Sequence, residues 1–284
     1  MSRGDVSSTL TEQVERLMAE SKARATAVSV HDLESGLRFS LRGDRWFHAA
    51  STIKVAVLLA LFRAVDEGRV RLDDSLHVRN RFISAAGGFP FQLNRDSDAM
   101  PELYQAIGRT AKISALAEGM ISASSNLATN LLLDFLGVEY ARNVLRDAQI
   151  EGVELRRGVE DHVAHKRGIN NEATADGLMT LLSALRGDFL RSESKEQAIR
   201  ILLEQRFNSM IPAGLPPHAA VAHKTGEIST ACHDMGIVYL PEREPYIAVI
   251  LTEFNSEKEG RRETVAAISE AIYRSVMGTQ GEIK

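Results

Sequence analysis

Phe47-His48-Ala49-Ala50-Ser51-Thr52-Ile53-Lys54, continued without a break by Val55-Ala56-Val57-Leu58-Leu59-Ala60-Leu61-Phe62, is the stretch from which the fold can be read. A hydroxyl and an amine three residues apart on a helix lie on one face, one turn apart. The apolar run leaves that helix no wet side, which predicts a buried central helix. Eight apolar residues fall far short of the roughly 20 needed to span a bilayer. A serine and a lysine are therefore carried on the most buried helix of the domain. Burying an ammonium is costly unless it is partnered, so its placement there requires a reason.

Working outward, Thr9-Leu10-Thr11-Glu12 reads as a capping box. Leu10, Val14, Leu17 and Met18 then form the stripe of an amphipathic helix ending near Lys22. Residues 26–31 alternate as a strand, Glu34-Ser35-Gly36 turns, and residues 37–41 return. A lone hairpin is marginal in water and must find more strands. The middle of the chain does not supply them. It reads as helices over Met120–Leu136, Glu139–Gln149, Thr174–Arg186 and Glu193–Arg206, with a polar stretch between Ile150 and Asn171 that is long enough to suggest a functional loop.

Strands resume at Ala219–Lys224, Gly236–Leu240 and Tyr246–Thr252, followed by a helix with Val265, Ile268, Ile272 and Val276 on one face. The expected fold is α+β: one five-stranded antiparallel sheet built from both chain ends, the terminal helices on one face and the helical middle on the other. The chain is expected to form a single catalytic domain over 1–284, its sheet part about 1–45 and 215–284 and its helical part about 46–214.

The 284 residues carry a formal net charge of −4, 44% hydrophobic and 25% charged residues. That balance offers no basic patch and argues against nucleic acid as a partner. The single cysteine, Cys232, permits no intrachain disulfide. The N-terminus shows no apolar h-region or small-residue cleavage site, which leaves localisation open. No membrane span and no metal or other cofactor is expected, and the chain is taken as a monomer.

Two further elements stand with Ser51-x-x-Lys54: Ser124-Ser125-Asn126 before Leu127-Ala128-Thr129-Asn130-Leu131-Leu132-Leu133, and Lys224-Thr225-Gly226 closing the strand Val221-Ala222-His223. Taken singly, Ser124 and Asn126 read as a helix N-cap, and Thr225-Gly226 as a strand end. A second Ser-x-x-Lys, Ser192-Glu193-Ser194-Lys195, reads as a solvated helix face. The ordered set is the one carried by penicillin-binding proteins and class A β-lactamases. Over nearly its whole length the chain resembles the serine β-lactamase/penicillin-binding family, and most of all its class A branch.

The resemblance implies a small-molecule β-lactam or peptidoglycan-like substrate and an acyl-enzyme on Ser51. Periplasmic or secreted placement is implied as well. A serine hydroxyl needs a base within reach, and burial can lower the pKa of Lys54 enough to make it one. By the same resemblance, Ser124 relays a proton to the leaving nitrogen and Asn126 binds the substrate amide. Lys224 and Thr225, followed by Gly226, hold the substrate carboxylate, and the backbone N–H groups of Ser51 and Glu227 form the oxyanion hole.

Three departures from the family pattern stand out. The deacylating Glu of class A belongs in Glu-x-x-Leu-Asn, whereas this chain reads Glu160-Asp161-His162-Val163-Ala164. Glu160 is the candidate base, with a solvated loop charge as the alternative and Glu172 a lesser candidate. Ser125 stands where Asp is usual. No Arg follows the Lys-Thr-Gly strand, where Cys232-His233-Asp234 is found instead. His162 and His165 beside Asp161 read as surface residues rather than metal ligands, and Cys232 as a small buried hydrophobe rather than a nucleophile. A carboxypeptidase or esterase-like penicillin-binding protein, and a sensor that remains acylated, are the rival functions. The stretch from Arg79 to Asp98 is a candidate lid.

Overall fold

A computed structural model describes residues 3–255 and 260–278. The elements used below are α1 (Arg3–Ser21), β1 (Ala25–Asp32), β2 (Arg38–Leu41), α2 (Lys54–Asp66), α3 (Ile113–Ser122), α4 (Asn126–Leu136), α5 (Val138–Asp147), α6 (His162–Lys166), α7 (Ala175–Arg186), α8 (Ser192–Leu203), β3 (Ala220–Ile228), β4 (Ala231–Tyr239), β5 (Tyr246–Glu253) and α9 (Arg261–Gly278). The fold is the α+β architecture expected: one five-stranded sheet in the order β3-β4-β5-β1-β2, every neighbour antiparallel.

The chain divides into two compact units. Of the described residues, the first takes 3–52, 173–183, 207–255 and 260–278, the second 53–172 and 184–206. The chain crosses from one to the other inside the opening stretch, between Thr52 and Ile53.

The first unit holds the sheet. The two chain ends meet because β1 pairs with β5 from Ala25↔Glu253 to Asp32↔Tyr246. Leu10 and Val14 of α1 and Val265, Ile268, Ile272 and Val276 of α9 pack with Val28, Val30, Val238, Tyr246, Ala248 and Ile250 in one apolar core. Burying each such side chain contributes roughly 1.5–3 kcal/mol.

Two expectations are corrected here. Thr9 caps nothing, because α1 already runs from Arg3; Thr11 Oγ1 instead donates to Ser7 O at 2.9 Å within the helix. β3 does not end at Lys224 but continues to Ile228, pairing Lys224↔Met235, Thr225↔Asp234 and Gly226↔His233. Lys-Thr-Gly therefore lies inside the strand, and Thr225-Gly226 is not a strand end.

The second unit is helical. Lys54 and every residue from Val55 to Phe62 are buried, as the all-apolar run requires, with α3, α4, α5 and α8 packed around α2. The predicted helix over 120–136 is broken in two at residues 123–125. Ser124 adopts the left-handed conformation (φ 58°), and Ser125 Oγ caps α4 by accepting from Ala128 N–H at 3.2 Å. The polar stretch 150–171 is a loop with one short helix, α6. Ser192-Glu193-Ser194-Lys195 opens α8 and is only partly solvated: Ser194 is buried and donates to Asp66 Oδ1 at 2.5 Å. Among the described residues no helix is long and apolar enough to cross a membrane.

Candidate active site

In the second unit, four of the expected residues come together. Lys54 is the first residue of α2, fully buried among apolar neighbours. Its Nζ donates to Ser124 O at 2.7 Å, to Ser124 Oγ at 3.1 Å and to Asn126 Oδ1 at 2.8 Å. An ammonium has three protons, and three acceptors surround it. The break between α3 and α4 is what makes this possible, since a continuous helix would commit the Ser124 carbonyl to its own ladder. Burial pushes the Lys54 amine down to about 7, against the attraction of the Asp98 and Glu160 carboxylates.

Asn126 is bonded on both sides. Its Oδ1 faces Lys54, and its Nδ2 donates to Glu160 Oε1 at 2.7 Å. Glu160 also accepts from Ser97 Oγ at 3.4 Å. The carboxylate the motif left in doubt thus lies on the same amide as the buried lysine, although no Leu-Asn follows it. Ala164 occupies the position where that Asn belongs, and it is buried.

The loop that carries Glu160 is fastened by residues that sequence reasoning missed. Asn130, one turn beyond Asn126 on α4, accepts from Val159 N–H at 2.8 Å and donates to Val159 O at 3.0 Å. A side chain at 158 would meet Asn130 Oδ1 at 2.8 Å, which is why Gly158 stands there. Asp161 is buried and accepts from Ala164 N–H (3.0 Å), Ser84 Oγ (2.8 Å) and Ala85 N–H (2.9 Å). Burial would raise its pKa, but these hydrogen bonds together with Arg157 hold it below the usual carboxylate range. At the neck of the loop, Asn171 Oδ1 accepts from the N–H groups of Arg156 (2.8 Å) and Arg157 (3.1 Å), and Arg157 Nε donates to Ile169 O at 2.7 Å. Glu172, the lesser candidate, pairs with Arg156 Nη1 at 2.6 Å. The i, i+4 spacing of Asn126 and Asn130 was the available sequence signal; Asp161 offered only an N-cap to α6, and Asn171 had none.

The first unit holds the rest. Ser51 lies in a helical turn, Ala50–Ile53, that leads directly into α2. On β3, Lys224 is fully buried and its Nζ donates to Thr225 O at 2.9 Å. Gly226 passes so close to the Ser51 turn that a Cβ there would lie 3.1 Å from the amide nitrogens of Ser51 and Thr52 and 3.0 Å from Thr52 Cγ2. This tight approach favours glycine and brings the Ser51 N–H beside the strand that carries Glu227.

No Arg follows the strand in sequence, but two reach it from α9. Arg261 Nη2 bonds Glu227 Oε1 at 2.9 Å, Arg262 bonds Glu227 Oε2 at 2.8 Å and 3.0 Å, and Arg261 Nη1 donates to Ile228 O at 2.8 Å. Beneath Lys224, buried His223 pairs with buried Asp234 at 3.0 Å. Cys232 is fully buried, and burial pushes its thiol up to about 12. His162 and His165 are exposed on α6.

Three left-handed backbones fall at or beside expected site residues. Among the described residues, non-glycine left-handed conformations occur at Ala50 (φ 47°), Ser124 (φ 58°) and Glu160 (φ 56°); the others are Lys22, Arg42, Gln149 and Glu242. Such conformations persist only where the surroundings over-determine them, as at functional sites.

The family described as "Beta-lactamase enzyme family" matches residues 9–276. The chain is 27% identical to the β-lactamase ROB-1 of Haemophilus influenzae over 256 residues, covering 88% of this chain and 79% of that one. Among solved structures, a mutant of PBP-A in an acyl-enzyme complex with penicillin G superposes with a TM-score of 0.81 at 27% identity, covering 95% of this chain and 97% of the other. An ancestral class A β-lactamase gives a TM-score of 0.81 at 26% identity, with 94% and 99% covered. The chain belongs to the β-lactamase enzyme family.

Proposed function

We propose that the protein is a class A-like serine β-lactamase working through an acyl-enzyme on Ser51. The observation that carries this reading is the Asn126 side chain, bonded to Lys54 Nζ on one side and Glu160 on the other. A base for acylation and a base for deacylation are thereby held on one amide.

In the first half of the reaction the neutral Lys54 amine takes the proton of Ser51 Oγ, which attacks the lactam carbonyl carbon. The oxyanion is met by the N–H groups of Ser51 and Glu227. Lys224 and Thr225 hold the substrate carboxylate, and Asn126 the substrate amide. The ring C–N bond then breaks, and Ser124 passes a proton to the nitrogen, drawing on the one Lys54 took up. In the second half, Glu160 deprotonates a water that attacks the ester carbonyl, and Ser51 leaves with a proton. An amine titrating near 7 suits a general base at neutral pH.

One observation favours a slower second half. The buried methyl of Ala164 gives a water no hydrogen bond, so deacylation falls to Glu160. A penicillin-binding protein that releases its acyl group slowly is the rival. Incubation with a chromogenic cephalosporin, followed by intact mass, distinguishes the two: continuous turnover is expected, and a single stoichiometric burst with a persistent adduct would overturn the lactamase reading.

A further inference from the structure

The first turn of α4 needs acceptors for its N–H groups, and Ser125 supplies one, to Ala128. The next come from elsewhere in the sequence. Asp98, at the end of the 79–98 stretch and buried, turns its Oδ2 onto Asn126 N–H at 3.0 Å and Leu127 N–H at 2.8 Å. The same oxygen accepts from Ser125 Oγ and from Tyr104 Oη, each at 3.3 Å, while Oδ1 accepts from Met100 N–H at 2.9 Å. A carboxylate beside a helix N-terminus with several N–H donors makes the strong, charge-assisted kind of hydrogen bond.

The stretch that delivers Asp98 is pinned at its other end as well, where Asp161 receives Ser84 and Ala85. It serves as a strut between α4 and the Glu160 loop.

We propose that Asp98 is a positioning residue for the Lys54–Asn126–Glu160 bridge: its carboxylate supplies, from 27 residues away, the acid missing at position 125, and fixes the start of α4 so that the Asn126 amide reaches both bases. Asp98 bonds Met100, Tyr104 and the start of α4 at Ser125, Asn126 and Leu127. It acts through the backbone of Asn126 and through its charge, which together with that of Glu160 draws a proton toward Lys54; Ser124 and Asn126 are the polar groups that touch the same amine. The inference rests on the acyl-transfer reading above.

The test compares Asp98→Asn, Asp98→Ala, Ser125→Asp and the double variant Asp98→Ala/Ser125→Asp in the full chain. Acylation by a fluorescent penicillin is measured per burst-titrated active site. Lys54 is titrated directly by NMR with ¹³Cε-labelled lysine, a readout that needs no reaction. Loss of the Asp98 carboxylate is expected to slow acylation roughly tenfold or more through misplacement of Asn126 and to move the Lys54 midpoint to lower pH. The double variant recovers both, whereas Ser125→Asp alone, with two carboxylates on one helix end, is worse than the double.

A purely structural Asp98 would lower the melting temperature while leaving the per-site rate and the Lys54 midpoint unchanged, and that outcome overturns the proposal. Should Asp98→Ala fail to fold, Asp98→Asn retains an acceptor oxygen and carries the test. If the wild type forms no adduct with the penicillin, the acyl-transfer reading fails, and the Lys54 midpoint still decides whether Asp98 sets the field on that amine.

Discussion

The first turn of α2 and the loop from 150 to 171 each bring one group onto Asn126, Lys54 and Glu160, but they hold those groups differently. Lys54 is fully buried with three acceptors within 3.1 Å. Glu160 is half-buried, with one short bond to Asn126 and one long one to Ser97. The amine is fixed by the core of its unit. The carboxylate is fixed by clasps, namely Asn130, Asp161 and Asn171, each of which adds about 0.5–1.5 kcal/mol per hydrogen bond. The difference separates the two halves of the proposed reaction: acylation is built into the fold, whereas deacylation hangs on a loop.

The largest effect expected is at Ser51. Ser51→Ala should abolish adduct formation and lower turnover by about 10⁶-fold, as loss of a nucleophile does, with no mass increase on incubation with a penicillin. A stoichiometric adduct in that variant would remove the common ground on which the two halves are compared.

Lys54→Met should slow acylation by about 10²–10⁴-fold. The sign of the pH dependence follows from the base's need to be unprotonated. In the wild type, acylation rises with pH through about 7 and falls away below it as Lys54 takes up its proton. The variant should lose that acid limb in stopped-flow acylation. An unchanged profile would mean that another group is the base.

Glu160→Gln leaves the Lys54 side of the bridge intact, so it should spare acylation and slow deacylation by about 10²–10⁴-fold. The expected record is a burst without turnover and an adduct that persists by intact mass. Equal losses in both steps would show that the two halves are not separable at Asn126.

The same contrast governs what the sequence made legible. The buried helix follows from an unbroken apolar run, and the five strands from alternation and from the need of a lone hairpin for partners. The break at Ser124 was hidden because residues 120–123 and 127–133 carry one continuous apolar pattern; a side-chain cap and a left-handed serine override it. Thr225-Gly226 reads locally as a strand end, yet pairing of Lys224–Ile228 with Ala231–Met235 keeps it extended. Residues on regular elements announced themselves through spacing. Asp98, Asn171 and Arg261 did not, since the partners that define them lie 14 or more residues away; Asp161 caps α6 locally, but its hold on Ser84 and Ala85 spans 77 and 76 residues.

The smallest effect sharpens the comparison most. Asn130 lies on the same face of α4 as Asn126 but bonds only the backbone of Val159, the residue before Glu160. Asn130→Ala removes both of those bonds and leaves every bond to Lys54 in place, at a cost of roughly 1–3 kcal/mol. If the loop is held by its clasps, deacylation should fall about tenfold, the order expected for a slight misplacement of a catalytic group, while acylation and its pH midpoint stay put. Single-turnover measurement of the two steps decides it. A loss confined to acylation would mean that α4 itself had shifted, and the division between a fixed amine and a clasped carboxylate would not hold.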